Sequence, residues 1–146
     1  MQTERAEGGQ NEEIQGQAQA KPATFRTLVV DSSQFMVPAL EKAMVAQGHL
    51  ILTADSGESA MKATRQFQPD LILLDGGVEG DQTLALLGEL LVEQASAAVV
   101  VVARQGSIVE AVEAMKMGAL DYLERPLDAA KIALVTETQQ AWFKHA

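Results

Sequence analysis

The chain contains no cysteine, and only 4% of its 146 residues are aromatic. The lack of cysteine excludes a thiolate zinc site, a disulfide framework and a cysteine nucleophile. It also fits a protein of a reducing compartment. The two histidines, His49 and His145, lie in no recognisable motif, and we expect both at the surface.

Basic residues are in the minority, with 11 Lys and Arg against 20 Asp and Glu and a net charge of −9. Binding to nucleic-acid phosphates needs clustered Lys and Arg, so this balance argues against a nucleic-acid surface. No apolar run reaches the roughly 18 residues of a membrane span. The first residues also lack the apolar core of a secretory signal. We therefore expect a cytoplasmic protein that binds neither nucleic acid nor membrane.

The composition changes along the chain. Residues 1–23 are mainly Gln, Glu, Gly and Ala, with one isoleucine and no aromatic residue. Such a segment buries too little apolar surface to offset the entropy lost on ordering, which predicts a disordered acidic, Gln-rich tail. The remaining residues, 24–146, are long and apolar enough to form one domain with a real core.

From residue 24 onward, short apolar or β-branched runs alternate with segments of helical spacing. Four of the five runs are almost entirely apolar, as is typical of parallel strands covered on both faces. Segments 57–67, 82–95, 108–117 and 128–144 carry apolar residues at helical spacing. This alternation predicts an α/β fold with a parallel sheet between helices. The five runs are 28–30, 50–54, 71–74, 99–102 and 121–124.

Several predicted helix ends carry start and stop residues. Ser107 and Glu110 have the spacing of a capping box, and Gly118 stands where a left-handed stop is expected. Asp55 and Glu58 have the same capping-box spacing before the helix at 57–67. These residues indicate short loops between strands and helices.

Charged residues follow three of the predicted strands. In open parallel sheets, sites form at the carboxyl ends of the strands. Asp31 and Ser32 follow the first strand, Asp75 ends the third, and Arg125 follows the fifth. If strands one and three are neighbours, the two carboxylates share a cleft within reach of Arg125. Such carboxylates can bind a hard divalent cation, attack phosphorus, or form a solvated pair at the loop starts.

These strand ends resemble the receiver domains of two-component response regulators, from Phe25 to about Phe143. The resemblance implies a flavodoxin-like, doubly wound (βα)5 fold with a five-stranded parallel sheet in the order 2-1-3-4-5. The last matching stretch is most similar to receivers attached to sigma-54-dependent transcription activators. The matching stretches are LVVDSS at 28–33, PDLILLD at 69–75, VVVVARQGS at 99–107 and EAVEAMKMGALDYLERP at 110–126.

The resemblance implies a role for each strand-end residue near the cleft. Asp75 corresponds to the aspartate that accepts a phosphoryl group from a histidine kinase. Asp31 and Ser32 correspond to the acidic pair that holds Mg²⁺ with that aspartate, and the backbone carbonyl of Gly77 would complete the metal site.

Two further positions correspond to the switch residues, which respond to the phosphoryl group in the family. A third corresponds to a lysine that binds this group. Ala103 stands where the family has a Ser or Thr that binds a phosphoryl oxygen. Tyr122 corresponds to the aromatic that changes rotamer with the switch. Arg125, followed by Pro126, stands where the family has a lysine that binds the phosphoryl group.

Three of these positions depart from the family pattern. Ser32 offers a neutral hydroxyl where Mg²⁺ usually finds a carboxylate, so we expect at most a weak Mg²⁺ site. Ala103 has no hydroxyl for the phosphoryl oxygen. Arg125 keeps the positive charge on a planar fork that can pair bidentately with Asp75 or Asp31. We interpret the site as degenerate, with Asp75 phosphorylation weakened or lost.

The sequence therefore predicts a regulatory, non-enzymatic domain that acts by protein contact. In the family, helix 4, strand 5 and helix 5 form the docking face, and its partners include a histidine kinase and a second copy of the chain. A functional phosphoacceptor is the alternative, because Asp75, Asp31 and one cation persist. A third hypothesis, a small enzyme or flavin binder of similar shape, has little support because no phosphate-binding loop follows the first strand.

Overall fold

The computed structural model describes residues 26–32, 37–45, 48–78, 82–125, 127 and 130–131. The predicted tail at 1–23 lies outside these residues, as does nearly all of the predicted helix at 128–144. His145 also lies outside them.

Five parallel strands alternate with four helices in the described part of the chain. The strand order is β2-β1-β3-β4-β5, which confirms the predicted doubly wound topology. The strands are β1 (Arg26–Val30), β2 (Leu50–Ala54), β3 (Leu71–Asp75), β4 (Ala98–Ala103) and β5 (Asp121–Glu124). The helices are α1 (Val37–Val45), α2 (Gly57–Phe67), α3 (Thr83–Glu93) and α4 (Ile108–Met117).

The central strands explain why their sequences are apolar without interruption. Every residue of β3 and β4 is buried. Successive side chains point to opposite faces of a strand, so Ile72 and Leu73 belong to two different core clusters. Leu87 packs in the first cluster and Met44 in the second, which places apolar helix faces on both sides of the sheet.

Helix α4 has the predicted N-cap and the predicted final glycine, but its capping box is only half formed, because the Glu110 side chain bonds the Tyr122 hydroxyl and not the Ser107 backbone. The Ser107 hydroxyl accepts a hydrogen bond from the Glu110 backbone N–H at 3.1 Å. Gly118 ends the helix with a φ of +116°, a conformation that glycine adopts at no steric cost. Within the described ranges, no helix has the length and apolar character needed to cross a membrane.

The start of α2 differs from the prediction by one residue. Its N-cap is Ser56, whose hydroxyl accepts from the Ser59 backbone N–H at 3.1 Å, and Ser59 closes the capping box. The predicted pair of Asp55 and Glu58 is therefore wrong. A serine at the third helical position serves here because its hydroxyl accepts the Ser56 backbone N–H at 3.1 Å.

His49 is the other residue whose predicted place is wrong, because it is buried with 3% of its surface exposed. The turn before it explains the burial. Gly48 has a φ of +89°, and the His49 backbone N–H donates to the Met44 carbonyl at 3.1 Å. The chain therefore turns back beneath the end of α1, and burial lowers the pKa of His49.

Candidate functional site

Three strand ends bring two carboxylates and a guanidinium together at the carboxyl edge of the sheet. Strands β1 and β3 are neighbours, with Val30 paired to Leu74, so Asp31 and Asp75 follow side by side. The Arg125 Nη2 atom lies 2.6 Å from Asp75 Oδ1 and 3.5 Å from Asp31 Oδ1. One guanidinium nitrogen thus lies within ion-pair distance of both carboxylates.

The bridged carboxylates are removed from solvent. Asp75 is 0% exposed and Asp31 is 2% exposed, and the Arg125 side chain is 14% exposed. Burial raises the pKa of Asp75, because a low dielectric disfavours the charged form. The Arg125 charge acts in the opposite direction on this pKa, and the Asp31 charge raises it further. The Arg125 guanidinium therefore supplies a permanent positive charge at a place where burying an ionised carboxylate costs free energy.

A second guanidinium, which the sequence reasoning missed, also faces Asp75. The Arg104 Nη2 atom lies 3.6 Å from Asp75 Oδ2, and the Arg104 side chain is 49% exposed. Its guanidinium lies over the loop after β3, where a Cβ added to Gly77 would collide with it. The signal was present in the sequence, since a basic residue directly after β4 stands beside the end of β3.

The structure places Ala103 at the buried end of β4, with 2% exposure and no hydroxyl to offer the cleft. Thr83, at the start of α3, is nearby, but its hydroxyl donates to the Gly76 carbonyl at 2.8 Å. The Gly76 backbone N–H in turn donates to the Val102 carbonyl at 2.8 Å. The loop after Asp75 is thereby held to the end of β4 by backbone contacts.

Tyr122 is half-buried, and its hydroxyl points away from the cleft toward α4. The hydroxyl donates to Glu110 Oε1 at 2.5 Å. Burial and this bond to the carboxylate raise the pKa of Tyr122 to about 12. The bond ties β5 to the first turn of α4, so the predicted switch aromatic is fixed on the proposed docking side of the molecule.

The residues that resemblance assigns to a metal site do not form an open one. Ser32 is exposed, and Gly77 lies beneath the Arg104 side chain. Two carboxylates and a carbonyl oxygen are donors that Mg²⁺ prefers, but Arg125 Nη2 already contacts both carboxylates. Among the residues described here, no group of three or more His, Cys, Asp or Glu side chains is arranged to hold a metal ion.

The chain matches the family model of the response regulator receiver domain over residues 27–137. It belongs to that family. The transcriptional regulatory protein ZraR of Escherichia coli K12 is 34% identical over 101 residues, which cover 69% of this chain and 23% of ZraR. ZraR is one of the sigma-54-dependent regulators whose receivers the sequence resembles.

Solved structures give the same family and fold. NtrX from Brucella abortus matches with a TM-score of 0.75 and 31% identity, over 83% of this receiver and 28% of NtrX. A response regulator from Burkholderia pseudomallei, solved with a phosphorylated aspartic acid, calcium and citrate, matches with a TM-score of 0.70 and 25% identity. That match covers 84% of this chain and 73% of the other. The receiver spans about a quarter of the length of ZraR and NtrX.

Proposed function

We propose that this receiver is a signalling domain of a phosphorelay that regulates by protein contact, with phosphorylation of Asp75 weakened or lost. The observation that carries the proposal is the bridge from Arg125 Nη2 to Asp75 at 2.6 Å and Asp31 at 3.5 Å. The guanidinium supplies, without a ligand, the positive charge that a phosphorylated site takes from a metal ion. According to this proposal, the domain is not an enzyme.

The metal requirement supports the same proposal. A bound Mg²⁺ would neutralise charge on the carboxylates and on an incoming phosphoryl group. The residues present do not fit the ion while Arg125 occupies the space between Asp31 and Asp75, and Ser32 adds no anionic oxygen. We therefore expect Mg²⁺ to bind weakly, and only when the Arg125 side chain moves.

The switch positions support a loss of signal transmission. Ala103 cannot bind a phosphoryl oxygen by a side-chain hydrogen bond, because it has no hydroxyl. The Tyr122 hydroxyl already donates a hydrogen bond to Glu110 at 2.5 Å, so the ring does not need a partner at the end of β4. A phosphoryl group on Asp75 would therefore have no hydroxyl to bind at position 103 and no mobile Tyr122 ring to transmit the change to α4.

We propose that protein contact occurs through α4, β5 and the following helix. Helix α4 exposes Ile108 and Val109 at 85% and 73%, with Val112 and Met115 both at 46%. An exposed apolar strip of this kind is typical of a protein-binding surface. The partner is a regulatory protein, a histidine kinase or a second copy of the chain. Nearly all of the predicted helix that would complete this face lies outside the described residues.

The place of action follows from the same proposal. A receiver that meets a histidine kinase or a transcription regulator works in the cytoplasm, and the net charge of −9 opposes direct nucleic-acid binding by this domain.

A functional phosphoacceptor is the second candidate, and one observation favours it. Asp75 Oδ2 makes no hydrogen bond to the described residues, so one oxygen of the carboxylate is not committed to Arg125. The Burkholderia pseudomallei relative carries a phosphorylated aspartic acid on the same fold.

The two candidates differ in their response to a phosphoryl mimic. We would add Mg²⁺ and fluoroberyllate to the isotope-labelled chain and record amide chemical shifts, with Asp75→Asn as the matched control. The proposal expects no Asp75-dependent shifts at millimolar ligand. Shifts around Asp75, Ala103 and Tyr122 that the control lacks would establish the functional phosphoacceptor instead.

A further inference from the structure

The two guanidinium groups on Asp75 differ in distance and in exposure. Arg125 Nη2 lies 2.6 Å from Asp75 Oδ1, and its side chain is 14% exposed. Arg104 Nη2 lies 3.6 Å from Asp75 Oδ2, and its side chain is 49% exposed. A half-exposed ion pair contributes little to stability because water and salt screen it, whereas a buried pair is costly to break. Arg104 can therefore leave Asp75 far more readily than Arg125 can.

The backbone beneath Arg104 is anchored, so its release is a movement of the side chain. The Arg125 backbone N–H donates to the Ala103 carbonyl at 2.9 Å. The Gly106 backbone N–H donates to Glu124 Oε2 at 2.8 Å. These bonds hold the loop between β4 and α4 against β5 on both sides of Arg104. Rotations of exposed side chains on a fixed backbone occur on the picosecond to nanosecond timescale.

Gly77 supplies the surface on which the Arg104 side chain lies. A Cβ at this position would fall inside the Arg104 guanidinium, and the atoms it would meet belong to a flexible side chain. Gly77 is not among the residues with a positive φ, so alanine fits its backbone. The glycine therefore leaves room for Arg104 rather than for an unusual backbone conformation.

We propose that Arg104 is a positioning residue whose side chain covers Asp75 Oδ2 and slows the access of small solutes, including phosphoryl donors, to this oxygen. This inference rests on the proposed function in taking Asp75 as the residue to be reached. In a transfer from acetyl phosphate, an Asp75 oxygen would bond to phosphorus while the bond from phosphorus to the acetyl oxygen breaks and acetate leaves. Arg104 must swing out before that oxygen meets the donor.

The test is labelling of carboxyl groups by a water-soluble carbodiimide with glycinamide, with the site read by mass spectrometry. Arg104→Ala removes the cover, and Gly77→Ala displaces it while keeping its charge. Arg65→Ala is the matched control, because it removes another exposed arginine, paired with Glu93 at 3.1 Å and remote from the cleft. We expect Asp75 to label at least about threefold faster in the first two variants than in wild type or control.

Asp31 serves as the internal reference in the same spectra, since it is 2% exposed and its ion pair in the cleft is with Arg125. It should stay unlabelled when only the cover moves. In about 1 M salt, wild-type labelling at Asp75 should rise, because the Debye length falls to about 3 Å, while Arg104→Ala should not respond.

Two results would overturn the proposal. One is equal labelling of Asp75 in Arg104→Ala and Arg65→Ala. The other is joint labelling of Asp31 and Asp75 in Arg104→Ala, which would show that Arg104 supports the whole fold. Neither result bears on the fluoroberyllate experiment, which uses the wild-type chain. A wild type that responds to fluoroberyllate would refute the weakened phosphoacceptor and leave the labelling comparison valid.

Discussion

The cleft at the carboxyl edge of the sheet and the outer face of α4 differ in what they expose. In the cleft, Asp31 and Asp75 are almost fully buried and share a guanidinium from the same chain. On α4, Ile108 and Val109 are mostly exposed although both are apolar. Burying charge costs free energy, and exposing apolar groups forgoes favourable burial. The comparison teaches that this receiver closes the cleft with its own side chains and leaves an apolar helix face exposed.

The largest expected effect comes from opening the closed cleft. Arg125→Ala leaves two buried carboxylates without their shared cation, which should lower the free energy of unfolding by about 3–5 kcal/mol. Urea denaturation measures this loss, and about 10 mM Mg²⁺ should recover part of it, because a divalent cation can then occupy the space. Arg65→Ala should change stability by no more than about 0.5 kcal/mol. Equal stability of the two variants would contradict the description of the cleft.

The hydrogen bond from Tyr122 in β5 to Glu110 in α4 should contribute less to the free energy of unfolding than the Arg125 bridge does. Tyr122→Phe removes the donor to Glu110 and should cost about 1–3 kcal/mol, as expected for a hydrogen bond to a carboxylate. The chain has one tyrosine, so its absorbance reports this group alone. Alkaline titration should show a midpoint near pH 12, and Glu110→Gln should move it toward 10.0, the ordinary value for tyrosine.

The sign of the alkaline effect on stability follows from that shift. The folded pKa of Tyr122 is raised to about 12, so the folded state holds its proton more tightly than the unfolded state. Stability should be intact below about pH 10, the ordinary pKa of tyrosine, and decline as the pH rises toward 12. A midpoint near 10 in the wild type would contradict the raised pKa that burial and the bond to Glu110 together predict.

A pH effect that involves neither region provides a reference for the comparison. Burial lowers the pKa of His49, so the unfolded state binds a proton more readily than the folded state. Stability should therefore be intact above pH 6.5, the ordinary pKa of histidine, and fall as the pH drops below it. Denaturant midpoints between about pH 7.5 and about pH 5 measure the decline, and His49→Gln should reduce its slope. An unchanged slope in His49→Gln would place the effect elsewhere.

The smallest effect is expected on the open face. Val109→Ser changes a residue that is 73% exposed, and it should alter the free energy of unfolding by no more than about 0.5 kcal/mol. Leu73→Ala, at a fully buried position, should instead cost about 2–5 kcal/mol. A large loss in Val109→Ser would show that α4 is covered within the domain, and the contrast between the two regions would fail.

Much of the architecture could be predicted because its causes are local. The uninterrupted apolar runs of β3 and β4 indicate burial on both faces, and the strand order follows from the receiver resemblance. The meeting of Asp31, Asp75 and Arg125 could also be predicted, since parallel strands bring their carboxyl ends to one edge. The geometry of the contact, in which one nitrogen bridges two carboxylates, could not be predicted because it depends on the side-chain conformation of Arg125.

Arg104 and His49, whose places the sequence analysis missed, depend on how the folded chain surrounds them. From the sequence alone, Arg104 looks like an ordinary basic residue of a loop. Its position beside Asp75 and Gly77 becomes apparent only when β3 and β4 are paired. From the sequence alone, His49 looks like a surface residue. In the structure, the turn at Gly48 places it beneath the end of α1. The resemblance assigns Tyr122 to the switch, which stays a prediction, and it does not reveal the hydroxyl's acceptor, Glu110, which lies 12 residues earlier in α4.

The Arg125 bridge makes the counter-ion of the cleft part of the polypeptide. This positive charge does not depend on what the medium contains, so we expect a chelator such as EDTA to leave the stability of the wild-type fold unchanged. The domain should keep the same melting temperature across buffers with and without divalent salts.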